Sequence, residues 1–171
     1  MRQKMILAVL LSLGFIFVTS SVNAGQAEGL EANKEIAVKY VEEILEEGNI
    51  DFIVDNYLAP EIEIEFPENF IIPALGTNQV KGKEAHRRAA KAWKSETAHN
   101  VDISEVIAED DKVVVLVYVD RAFKIIEGKE RLFNDHPMVF IFKFKDGQII
   151  NAKIIFDVLD EIEQMKAKKY N

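Results

Sequence analysis

Three side chains stand where charge or proton chemistry would be out of the ordinary: Arg121, His136 and Asp157. Arg121 interrupts a row of alternating apolar residues, Val113, Val115, Val117, Val119, Phe123 and Ile125. A guanidinium does not shed its proton and is costly to bury alone, so an arginine in such a row needs a carboxylate, a bound anion or water. A buried ion pair, a rim position reaching solvent and a binding site all satisfy that need. His136 stands at the end of a second row, Met138, Phe140, Phe142 and Phe144. An imidazole there can carry a proton near neutral pH, or bond to backbone as a strand-end residue. Asp157 closes the run Ile154-Ile155-Phe156. Strict alternation groups it with Asn151 and Lys153 and turns it to solvent, whereas a bulge near Ile155 would turn it inward.

The elements that must position these residues follow from periodicity. Ile36, Ala37, Tyr40, Val41, Ile44 and Leu45 form one helical stripe between Glu31 and Glu47, with Gly48 as a stop. Glu42, Glu43, Glu46 and Glu47 lie off that stripe and are expected in water. Asn49 is placed to cap a short helix through Leu58, which Pro60 ends. Ile62, Ile64 and Phe66 alternate with Glu61, Glu63 and Glu65, a strand with one wet face. The stretch after it, with Pro67, Pro73 and Gly76, is a loop long enough to form a lid or pocket rim. A third helix is expected from Gly82 to Thr97, with Ala85, Ala89, Ala92 and Trp93 on its core side.

Strands are then expected over Val101 to Glu109, Lys112 to Ile126, His136 to Lys145 and Gln148 to Asp157. They are joined at Asp110-Asp111, Glu127-Gly128-Lys129 and the hairpin pair Asp146-Gly147. A last helix is expected from Leu159 to Lys168. Helices followed by a meander of long strands define an α+β domain in which helices cover one face of an antiparallel sheet.

The 171 residues carry 29 acidic and 21 basic side chains, a formal charge of -8, and suit one domain. That sign disfavours nucleic acid and anionic membrane as partners. The absence of cysteine excludes disulfides, thiolate metal sites and thiol nucleophiles, and His86, His99 and His136 lack zinc-motif spacing, so no metal and no cofactor is expected.

Residues 1–24 read as a cleaved secretory signal: Arg2 and Lys4, an apolar run from Met5 to Val18, and Val22-Asn23-Ala24 before the cut. The run falls short of the roughly 20 residues of a membrane span. The organisation expected is thus a signal at 1–24, a short flexible stretch at 25–30 and a single domain over 31–171, exported to a bacterial periplasm or the medium.

The order of these elements, with Gly82-Lys83-Glu84-Ala85, the run Val106 to Val113, Asp146-Gly147-Gln148-Ile149 and Phe156-Asp157, resembles the SnoaL-like branch of the nuclear transport factor 2-like superfamily. The resemblance covers essentially the whole mature chain. It implies a cone-shaped, strongly bent antiparallel sheet under three to four helices, with a pocket at the wide end and homodimers a frequent state. Relatives include polyketide cyclases, ketosteroid isomerases, limonene epoxide hydrolases and non-catalytic binding modules.

Carried over residue by residue, the resemblance makes Asp157 the acid/base aspartate and Arg121 the arginine that orients carboxylates. The second hydrolase aspartate falls at Phe123, the water-holding tyrosine and asparagine at Glu63 and Glu65, and the cyclase tryptophan at Lys153, so the match is incomplete. The implied ligand is a small, mostly apolar, partly oxygenated molecule. Asp157, Arg121 and His136 would act on it, His136 or Tyr118 would meet its oxygen, and Phe123, Phe140, Phe142 and Phe156 would line the pocket. A binding module of the same shape, with no reaction, remains the alternative.

Overall fold

The computed structural model describes residues 27–157 apart from 69, 71, 73, 74 and 125–129; for 47, 93–99, 121–124 and 130–134 it describes the backbone alone. The expected signal, the turn at Glu127-Gly128-Lys129 and the final helix lie outside the described residues.

The first helix, α1, spans 27–42, so it begins four residues ahead of Glu31, and it runs directly into a π-helical turn, Glu43–Glu47. Gly48 ends it in the left-handed region (φ 83°), where its N–H donates to the Glu43 carbonyl at 2.7 Å. The wide turn corrects one expectation. Glu43, read as a solvated residue, is buried: its carboxylate pairs with Lys39 Nζ at 3.2 Å and accepts the Asn49 N–H at 3.0 Å. The extra residue of a π turn breaks the 3.6 periodicity on which the solvent-face assignment rested. Asn49 itself makes no side-chain cap; the first turn of α2 (Ile50–Asn56) is reached through Glu43 instead.

Strand β1 (Leu58–Glu65) starts earlier than its alternation suggests and includes Pro60, which sits where the pairing with its neighbour is irregular and needs no N–H. Gly82 (φ 81°) follows the short strand β2 (Gln79–Lys81) and donates its N–H to Ile62 O at 2.7 Å. Helix α3 (Lys83–Glu96) passes without a loop into β3 (Thr97–Glu109), four residues ahead of Val101. Strands β4 (Lys112–Lys124), β5 (Glu130–Lys145) and β6 (Gln148–Phe156) complete the meander. Asp146 (φ 52°) and Gly147 (φ 73°) both take positive φ, as a two-residue hairpin turn requires.

The sheet order is β2-β1-β6-β5-β4-β3. The α+β class holds, with one difference from an all-antiparallel sheet: β1 runs parallel to β6, which makes the sheet mixed, and it is not closed. No hairpin links these two strands, so no tight turn dictates their relative direction.

The helices cover one sheet face, and the side chains that alternation turns toward them form the core. From α1 come Ala37, Tyr40, Val41 and Ile44, and from α2 Ile50, Ile53 and Val54. The strands supply Ile62 and Ile64, Val113 to Val119 at every second position, Met138 to Phe144 likewise, and Ile149, Ala152, Ile154 and Phe156. Outside the core, Arg87 on α3 is clamped by Asp51 and Asp55 of α2 and by Glu84, and Lys91 reaches Asp51 at 2.8 Å. Lys91 and then Arg87 hold the Asp51 carboxyl below its usual range. These exposed pairs fix the helices' relative placement more than they add stability.

Candidate functional site

Three strands converge on one interior corner. Val119 of β4 pairs with His136 of β5, and Met138 pairs with Phe156 of β6. Regular alternation over 113–119, 136–144 and 152–156 places Val119, His136, Met138 and Phe156 on the helix-covered face, all buried. His136 is fully buried, and the Phe156 ring meets it edge to face at 6.1 Å between centroids. Phe70, from the segment after β1, packs on Phe156 at 5.1 Å and on Phe66 at 5.5 Å. A second aromatic cluster packs the other end of the interior. There Tyr40 stands edge-on to Phe142 at 5.0 Å, and Phe142 meets Phe140 and Phe144 at 6.1 and 6.4 Å.

The residues expected at a site divide accordingly. His136 and Phe156 meet directly. Phe140 and Phe142 share their face, but Phe142 is enclosed by Tyr40 and Phe144 in the packed end. Tyr118 does not join them. The alternation that buries Val117 and Val119 turns it to the other face, where it is 38% exposed.

Asp157 follows the last residue of β6 and is exposed. The irregularity in β6 lies upstream of the position at which it would have turned Asp157 inward: pairing passes from Lys143 with Asn151 to Phe144 with Ile149, and beyond it the alternation from Ala152 to Phe156 is unbroken. The same irregularity puts Ile149 rather than Ile150 into the core row. For Arg121 the backbone alone is described, paired with His99 of β3 and Phe133 of β5; its side chain and that of Phe123 lie outside the described residues.

A buried polar pair escaped the sequence reading. The Tyr40 hydroxyl lies 3.2 Å from His86 Nε2, with the rings stacked at 5.8 Å, joining α1 to α3. The signal was present: His86 precedes Ala89 and Ala90 by three and four residues, the spacing of one helix face. Burial, with a smaller contribution from the Arg87 charge, pushes the His86 pKa down to about 4, and burial also raises the Tyr40 hydroxyl well above its ordinary value. Among the described residues three polar or charged side chains are buried, Glu43, His86 and His136. Glu43 and His86 are engaged on the helices; His136 is the one on the sheet's interior row.

The chain belongs to the SnoaL-like domain family, whose model matches residues 37–152. Among solved structures it is similar to a SnoaL-like protein from Jannaschia sp. CCS1, at 20% identity and TM-score 0.65, over 81% of this chain and 94% of that one. An NTF2-like protein from Burkholderia xenovorans LB400 aligns at 15% identity and TM-score 0.65, over 79% and 96%. TerC, co-crystallised with polyporic acid, aligns at 18% identity and TM-score 0.60, over 79% and 98%. At these identities the likeness is one of fold. No curated protein matches the chain.

The Tyr40–His86 pair gives stability a defined pH dependence. An unfolded histidine protonates near 6.5, whereas His86 in the folded protein resists until about 4. Its contribution is therefore complete above pH 6.5 and is lost as pH falls toward 4, by about 3 kcal/mol. Urea unfolding at pH 7 and pH 4 should show this loss reduced by that amount in the double variant Tyr40→Phe/His86→Leu. An unchanged loss would show that His86 is not the group responsible.

Proposed function

We propose that this is an exported pocket protein of the SnoaL-like family that holds a small, largely apolar, oxygen-bearing molecule against His136 and Phe156. The observation that carries the reading is a fully buried imidazole set into an otherwise apolar interior row, edge to face with an aromatic ring. A buried apolar row that carries one polar group suits a ligand that is mostly hydrocarbon with a single oxygen function. The exposed position of Asp157 favours binding over proton transfer through that carboxylate. The co-crystallised small molecule of TerC is in keeping with this reading.

Acetophenone and 2-naphthol serve as probes. Each is expected to raise the melting temperature of the purified protein and to shift the His136 ring signals in NMR spectra, and His136→Phe should abolish both responses. No response from the wild-type protein would overturn the reading. Export rests on residues 1–24, and protein recovered from the periplasm or medium is expected to begin at Gly25 by mass spectrometry. Recovery with Met1 retained would remove the cleaved signal.

The outer face of the sheet supports a second, compatible reading, self-association. Ile107 is 53% and Ile155 42% exposed, and with Tyr118 they form an apolar patch together with half-buried Val114, Leu116, Val139 and Ile141. We infer that a second copy covers it in a homodimer. Sedimentation should show a dimer that Ile155→Lys converts to monomer, and a wild-type monomer at micromolar concentration would refute it.

A further inference from the structure

The pairing of β4 with β5 changes register beside His136. Val119 faces His136, but Arg121 faces Phe133, so two residues of β5, Asn134 and Asp135, stand against one of β4, Asp120. Asp135 is the residue that makes this possible. It adopts φ 51°, and its N–H donates to Asp120 Oδ1 at 2.9 Å across the strand pair. Positive φ is unfavourable for a residue with a Cβ and persists where surrounding contacts stabilise it. Here a carboxylate on the neighbouring strand accepts the amide that the bulge withdraws from the regular ladder.

We infer that Asp120 is a positioning residue: by holding the amide of Asp135 in the left-handed bulge, it fixes His136 on the interior face. The geometry follows from sequence adjacency. The residue after Asp135 is His136, and a residue removed from the bulge would exchange the faces of the positions on one side of it. The bulge thus decouples the two halves of β5. From His136 to Phe144 alternate residues face the helices, while the backbone beyond Asp135 is re-registered against Arg121. A half-buried carboxylate thereby acts on a buried imidazole that it does not touch. The inference rests on the reading of His136 as a ligand-facing group, although the fixing of the ring can be measured without any ligand.

The test follows the His136 ring and the Asp135 amide by NMR in the intact protein, with the His86 ring as an internal control. In the wild type, His136 is expected to give one set of ring signals in one tautomer. Asp120→Ala should split or broaden that set and speed exchange of the Asp135 amide by at least about tenfold, with His86 unchanged. Asp120→Asn, which keeps an oxygen acceptor, should restore the wild-type spectrum. Asp120→Ala/Asp135→Gly should restore it too, because glycine takes the positive φ without strain. That double variant reads the proposal even if the single variant does not fold.

Unchanged His136 signals in a folded Asp120→Ala protein would overturn the inference, as would equal disturbance of His136 and His86, which would mark Asp120 as a general stabiliser. Displaced His136 signals in the double variant would overturn it as well. Acetophenone binding is measured separately, so a protein that binds no probe refutes the functional reading and leaves the positioning result standing.

Discussion

The structure depends on the period-two alternation of three neighbouring strands, β4, β5 and β6, whose apolar residues must all face the helices at once. Because neighbouring strands are hydrogen-bonded, a shift of one residue in any of them would move a whole row of valine, isoleucine or phenylalanine to solvent. That penalty pins the register more firmly than the surface ion pairs do. It also determines where polar chemistry can occur: a histidine in phase with the row is buried, and a tyrosine or aspartate one position out of phase is not. His136 on one side, and Tyr118 and Asp157 on the other, are outcomes of the same rule.

Where that rule operates without interruption, the sequence was easy to read. The rows Val113 to Val119 and Met138 to Phe144 and the alternation Ile62-Ile64 emerge from it, while the Asp146-Gly147 hairpin was legible from its turn residues and the SnoaL-like resemblance from the order of its motifs. Where the backbone departs from regular geometry, a pattern of residue types carries little information. Strand β5 was expected to begin at His136 and begins at Glu130. A left-handed Asp135 within a continuing strand depends on Asp120, a residue on a different strand. Glu43 follows the same logic at a helix end: nothing in four spaced glutamates distinguishes the one that a π turn rotates inward.

The candidate site was legible in part. His136 and Phe156 could be found by parity, and their meeting across β5 and β6 needed only the strand order. The parallel placement of β1 beside β6 could not be read in this way, since it joins segments with no turn between them. The helical spacing of His86 with Ala89 and Ala90 was visible, but its partner Tyr40 comes from a different helix. Histidine placement in this protein follows two distinct physical needs. His86 is a neutral tie between helices, and His136 is the polar member of the sheet's interior row.

The parallel pair has a consequence for assembly. Glu63 lies against Asn151 and Glu65 against Lys153, so β1 can finish its ladder only after the last strand of the meander has been synthesised and joined. The hairpins from β3 to β6 close short loops, whereas the pairing of Glu63 with Asn151 closes one of 88 residues and bears the larger entropic cost. A chain emerging from the ribosome amino-terminus first therefore holds its opening helices and first strand in waiting, and the domain becomes whole at its seam rather than at its tip.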